Sequence, residues 1–218
     1  MEFAPSETVV LHPLRFVEPM RRGLRPVPRA VLGRAAAMAA VIAAAATGSL
    51  RLEPRAIPIL SLLPGAGRRL RAFAGAEVIW PEGSLEEALQ RLIGAAPDGI
   101  DLDDALRGAL LGSGRLAPDV IAFVEGSLRH RGIELPCDGD PAAADAVHSL
   151  LSDFREHDPD RWIAIAREID RALWLPLLRN AIHSRRDDII DPHPPRRERA
   201  RDYLRSWRRL NRDPPSAR

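Results

Sequence analysis

Through the second half of the chain, apolar residues recur every three to four positions, the period of helices with one buried face. Leu85, Ala88, Leu89, Leu92 and Ile93 form one stripe, opened by Ser84-Leu85-Glu86-Glu87. In that motif the serine and the third-following glutamate satisfy each other's free amides. Gly94 marks the end of this helix. Leu102, Ala105, Leu106, Ala109 and Leu110 form the next stripe, with Asp101 as its cap. A third helix opens at Pro118, carries Val120, Ile121, Phe123, Val124 and Leu128, and stops near Gly132. Asp140-Pro141 and Asp158-Pro159 each place aspartate at an N-cap and proline at the first helical position. The helix from Asp158 has the longest apolar face: Trp162, Ile165, Ala166, Ile169, Ala172 and Leu173. Trp162, Ile169, Leu89 and Leu106 are therefore expected in the core. Pro176 is expected to kink or break this helix near Ala172.

The first half is less regular. Pro5, Pro13, Pro19, Pro26 and Pro28 predict an irregular arm over residues 1–27, with one short strand at Thr8–Leu11. A helix is predicted from Pro28 or Arg29 to Thr47, with Gly48 as its stop. Within it, Ala35–Thr47 is the most uniformly apolar run. Its thirteen residues fall short of the roughly 20 that span a membrane, so a buried core helix is expected rather than an anchor or export signal. Ser49–Glu53 and Glu77–Trp80 read as short strands, and Arg68–Ala74 as a short helix. After a stiff linker at 191–195, Asp191-Pro-His-Pro-Pro195, a final helix is predicted from Arg196 to Arg212. The expected fold class is all-α or mainly α: one multi-helix domain over 28–190 with at most a few short strands, then a basic amphipathic helix and tail over 196–218.

Composition refines this picture. Apolar residues make up 45% of the 218, enough for a core, and aromatics only 5%. The chain has no lysine, so all 32 basic residues are arginine. A net charge of +2 hides a strong asymmetry. Residues 15–34 hold six arginines against Glu18; residues 77–104 hold eight acids against Arg91; residues 196–218 hold nine arginines against three acids. Basic ends thus flank an acidic middle, either for a partner or to meet within the fold.

Motifs of catalysis are not legible. The single cysteine, Cys137, rules out an internal disulfide and a cysteine-rich metal site. Its acidic loop disfavours a thiolate, so no nucleophile is expected there. Gly65-Ala66-Gly67-Arg68-Arg69 lacks the ending of a phosphate loop, and Leu70 stands where a dinucleotide fingerprint has its third glycine. Gly112-Ser113-Gly114 reads as a helix stop. Of the histidines, 12, 130, 148, 157, 183 and 193, no two stand three or four residues apart, the spacing of a helix-borne metal pair. His148 and His157 face opposite ways around a helix. Asp153 with His157, and His183 with Asp187, are only i, i+4 surface pairs. The acids at 98, 101, 103 and 104 lack the alternation of a calcium loop. No catalytic, cofactor-binding or metal-binding residue is expected, and no cofactor.

The candidate interaction surface is the C-terminal helix, where Arg201, Arg205, Arg208 and Arg209 surround Tyr203 and Trp207. Its first expected use is packing, on the acidic middle of its own chain, on a second subunit or on another protein partner; the second is nucleic acid, gripped by arginine and stacked on the aromatics. An anionic membrane surface comes third. The function expected is a non-catalytic binding or accessory protein in the cytoplasm, acting through protein–protein contacts. The alternative from another class is an enzyme whose site is assembled from dispersed residues.

Overall fold

A computed structural model describes residues 3–17, 29–56, 68–110, 120–135 and 139–187. The elements among them run α1 (Pro5–Leu11), α2 (Pro13–Phe16), α3 (Arg29–Ala46), β1 (Leu50–Ala56), β2 (Arg68–Ala74), α4 (Leu85–Gly94), β3 (Ile100–Asp101), α5 (Leu102–Leu110), α6 (Val120–His130), α7 (Pro141–His157) and α8 (Pro159–Asp187). The protein is mainly α, with one small three-stranded sheet. The first of two compact units, Met1–Leu177, holds all of these elements except the last turns of α8; the second is Leu178–Arg218.

α3 is the hub of the first unit. It is long and apolar enough to cross a membrane, but Ala36–Ala44 are buried in the fold, packed among α1, α4, α6, α7 and β1. Alanine side chains let the neighbouring backbones approach closely, which suits a helix covered on several sides. It ends at Gly48, whose φ of +75° is the left-handed conformation favoured at a helix stop. Arg34 leaves the apolar face and forks onto Asp170 of α8, at 2.6 and 3.2 Å.

The expected irregular arm is not irregular where it is described. Thr8–Leu11, expected as a short strand, belongs to α1. Pro5 at the first helical position and Glu7, whose carboxylate accepts the Ala4 amide at 2.9 Å, start a helix that outweighs Thr and Val propensity. Val9 is fully buried in the common core. Across α1, Glu86 of α4 accepts the Ser6 amide and hydroxyl at 2.7 and 2.8 Å. Glu7 accepts the Ser127 hydroxyl at 3.1 Å and pairs with Arg131.

The sheet is antiparallel in the order β1-β2-β3, with Leu50 opposite Ala74, Ala56 opposite Arg68 and Arg71 opposite Asp101. Arg68–Ala74 is thus a strand and not the expected short helix. Leu70 and Ala72 face the core together with Leu50 and Leu52, while Arg71 and Phe73 lie on the other face. There the Arg51 guanidinium sits 5.2 Å from the Phe73 ring centre, a cross-strand cation–π contact. The strand expected over Ser49–Glu53 is β1, which begins at Leu50 and runs on to Ala56, with Pro54 on an edge strand of the sheet.

The helical capping signals are realised with small shifts. Ser84 accepts the Glu87 amide at 3.2 Å, but the Glu87 carboxylate accepts from Gly83, at 2.8 Å, rather than from Ser84. Asp140 and Asp158 accept the amides of Ala142 and Arg161, at 2.9 and 3.1 Å. Asp101 instead turns its carboxylate to arginines of the hairpin. α8 continues through Pro176 to Asp187, with no break near Ala172. Proline removes one amide donor from the ladder, and the helix carries on through that loss. Leu89, Leu106 and Ile169 are core residues as expected, whereas Trp162 is half-buried at the rim.

Candidate functional site

The strongest candidate surface is a groove between α4 and the segment that leads into it from β2. Its wall begins where the hairpin closes. The Gly75 and Ala76 amides donate to the Ser49 and Gly48 carbonyls, at 3.0 and 2.8 Å. A Cβ on Gly75 would lie 2.0 Å from the Gly48 oxygen, so this close crossing of backbones requires glycine. Beyond it the chain leaves the sheet, and Glu77–Trp80, expected as a strand, pairs with no strand among the described residues.

Gln90 of α4 holds that segment at two points. Its amide nitrogen donates to the Val78 carbonyl at 3.0 Å, and its oxygen accepts the Trp80 indole N–H at 3.0 Å. Val78 and Trp80 are thereby half-buried and Ile79, between them, is turned out with 98% of its surface exposed. The resulting groove of about 510 Å³ is lined by Ile79 and Trp80, with Glu77, Glu87, Gln90 and Arg91 supplying polar groups. Glu77 is exposed, and Arg91 lies 3.8 Å from Glu87.

A second constellation gathers charge at the end of the sheet. Among the described residues, Asp101, Asp103 and Asp104 form the one group of acids close enough to share a metal ion, with oxygens within 4.8 Å of one another. Arginines already occupy them. Asp101 meets Arg55 and Arg69 at 3.3 Å each; buried Asp103 meets Arg69 at 3.3 Å and also Arg107; Asp104 meets Arg107 at 3.1 Å. A cation would have to displace guanidinium groups from every carboxylate, so this donor set is built for arginine. Glu168 lies buried nearby on α8, paired with Arg171 at 2.6 Å. Burial pushes its carboxyl above the usual range and the Asp103 charge adds to this, against the opposing pull of Arg171. Within the acidic middle, Asp101 and Asp103 thus find counter-charge in the β-hairpin, while Asp104 and Glu87 find it on their own helices, at Arg107 and Arg91. Arg15 and Arg29 of the basic N-terminal stretch pair instead with acids outside that segment, Asp145 and, at 3.3 Å, Glu125.

The expected interaction residues Arg201, Tyr203, Arg205, Trp207, Arg208 and Arg209 lie outside the described residues, as do Cys137 and the Gly65–Gly67 and Gly112–Gly114 loops. His157 Nδ1 lies 2.8 Å from the Asp153 backbone oxygen, so that i, i+4 pair is made through the main chain. His148 packs against Phe16, with ring centres 6.2 Å apart. No motif in the sequence marks the groove. Its sequence signal is Ile79 in a short apolar run ended by Pro81, with Gln90 one helix later, but which of three apolar neighbours faces outward depends on the tertiary pin.

No protein-family model, no curated protein and no solved structure matches this chain.

Proposed function

We propose that the protein is a non-catalytic binding or accessory protein that acts through protein–protein contacts, with the groove at Ile79 as its docking surface. The observation that carries this reading is the position of Ile79, a large apolar side chain almost fully exposed on a segment pinned at both neighbours. Exposed apolar groups beside a preformed groove serve as binding anchors, because no ordering cost attaches to a segment already held in place. The exposed Glu77 carboxylate at the rim favours a partner segment that seats an apolar side chain beside Ile79 and brings a cation to Glu77. A photo-crosslinking residue at position 79 tests it, with the same probe at exposed Arg167 as control. A discrete protein adduct at 79 that Gln90→Ala abolishes supports the reading; equal labelling at both positions contradicts it.

Nucleic-acid binding by the segment 196–212 is the second reading. It rests on the nine arginines of residues 196–218 around Tyr203 and Trp207. On this reading, affinity for a single-stranded oligonucleotide falls steeply with salt, and glutamine at positions 201, 205, 208 and 209 flattens that slope. A slope that the four substitutions leave unchanged removes this reading.

A further inference from the structure

Ser6 and Glu7 sit in the first turn of α1, where helix amides lack partners and favour negative charge. The group that answers them comes from another helix. Glu86, in the first turn of α4, accepts both the amide and the hydroxyl of Ser6, so one side chain ties the start of α1 to the start of α4. Glu7 ties the same turn to α6 and the residues after it, through Ser127 and Arg131. Ser6, Glu7 and Glu86 are all fully buried. Two carboxyl groups and one guanidinium therefore share a space closed to water, and Glu7 takes the guanidinium. The bonds that Glu86 accepts come from neutral donors, Ser6 and its own amide. The charged group facing it from α1 is Glu7, which is itself held by Arg131. Its neighbour Glu87 on α4 turns instead to Gly83 and Arg91, and Arg34 of α3 is held by Asp170.

We propose that α1 is a pH-sensitive strap, fastened by the Glu86 carboxyl and the Glu7–Arg131 pair, whose opening becomes more frequent as the pH rises to neutrality. Opening it uncovers Val9 and the alanine face of α3 against which α1 packs. With α1 closed, burial pushes the Glu86 carboxyl from 4.5 up to about 7; the Ser6 and backbone hydrogen bonds pull it down and the Glu7 charge adds to the rise. With α1 lifted, water reaches the carboxyl and it returns towards its ordinary range. Between those limits the closed state keeps a proton that the open state has lost. Closing is thus most favoured at acid pH, weakens about tenfold per pH unit up to about pH 7, and is constant above that.

Hydrogen exchange of peptides covering residues 3–17, corrected for intrinsic rates, tests this between pH 5.5 and 7.5, with α5 as internal reference. Protection of α1 should fall about 20-fold across that range while α5 is unchanged. In Glu86→Gln the side-chain carbonyl accepts the Ser6 amide and its NH2 donates to the Ser6 hydroxyl, as the protonated acid does, so protection of α1 should be flat. Wild-type protection that does not vary, an equal slope in Glu86→Gln, or equal losses in α1 and α5 would each overturn the strap. Ser6→Ala is the second variant, should Glu86→Gln fail to fold. It removes a donor that favours the carboxylate, so the fall should move to higher pH, and a fall that stays in place also overturns the proposal.

Discussion

Arg131→Met lowers the unfolding free energy by about 3–5 kcal/mol at pH 7, the penalty for breaking a buried ion pair from one side. The cause is the Glu7 carboxylate, which is fully buried and would keep only the Ala4 amide and the Ser127 hydroxyl beside a second buried acid, Glu86. A buried charge without its partner bears the full cost of desolvation, whereas removing both charges is often close to neutral. The double variant Arg131→Met/Glu7→Gln should therefore recover a large part of the loss. Denaturant titration of the two single variants and the double one measures the coupling. Additive losses would mean that the pair is not what holds α1 against α6.

Leu106→Ala and Ile169→Ala each cost about 2–5 kcal/mol, the range for removing a large aliphatic side chain from a closed core. Both are fully buried, Leu106 on α5 and Ile169 on α8, within one continuous apolar cluster. Trp162→Ala should cost less than Ile169→Ala although it deletes more atoms, because Trp162 is only half-buried at the start of α8. Chemical denaturation of the three variants ranks them. A larger loss for Trp162 than for Ile169 would show that α8 buries a different face.

These rankings show where sequence pattern carries information and where packing overrides it. Ser84-to-Glu87, Asp140-Pro141 and Asp158-Pro159 are local chemistry, decided within a single turn, and each helix begins where its cap stands. Ala35–Thr47 was legible as a core helix because alanine with so few polar groups has no surface to offer. β2 was not legible as a strand. Its Arg-Leu-Arg-Ala alternation has the period of a strand, but leucine, arginine and alanine are strong helix formers, and only pairing with β1 and β3 decides between them. α1 failed the opposite way, since Val9 and Val10 favour strands while Pro5, Glu7 and the distant Glu86 favour a helix end. The charged clusters repeat this lesson. The acids of residues 77–104 stand out in the sequence, yet nothing local says that Asp101 and Asp103 belong to Arg55, Arg69 and Arg107, or that Glu86 is buried against Ser6. Exposure of Ile79 is a property of the Gln90 pin, and no spacing rule contains it.

Docking at the groove is tested most directly by comparing two variants for association with the protein crosslinked at position 79. Ile79→Asp changes an exposed side chain, so the melting temperature should stay within the narrow range of ordinary surface substitutions. It should nevertheless abolish association, while glutamine at Arg201, Arg205, Arg208 and Arg209 leaves association intact. Association that survives Ile79→Asp but is lost with the four glutamines would contradict the groove and move the interaction to the arginine-rich segment.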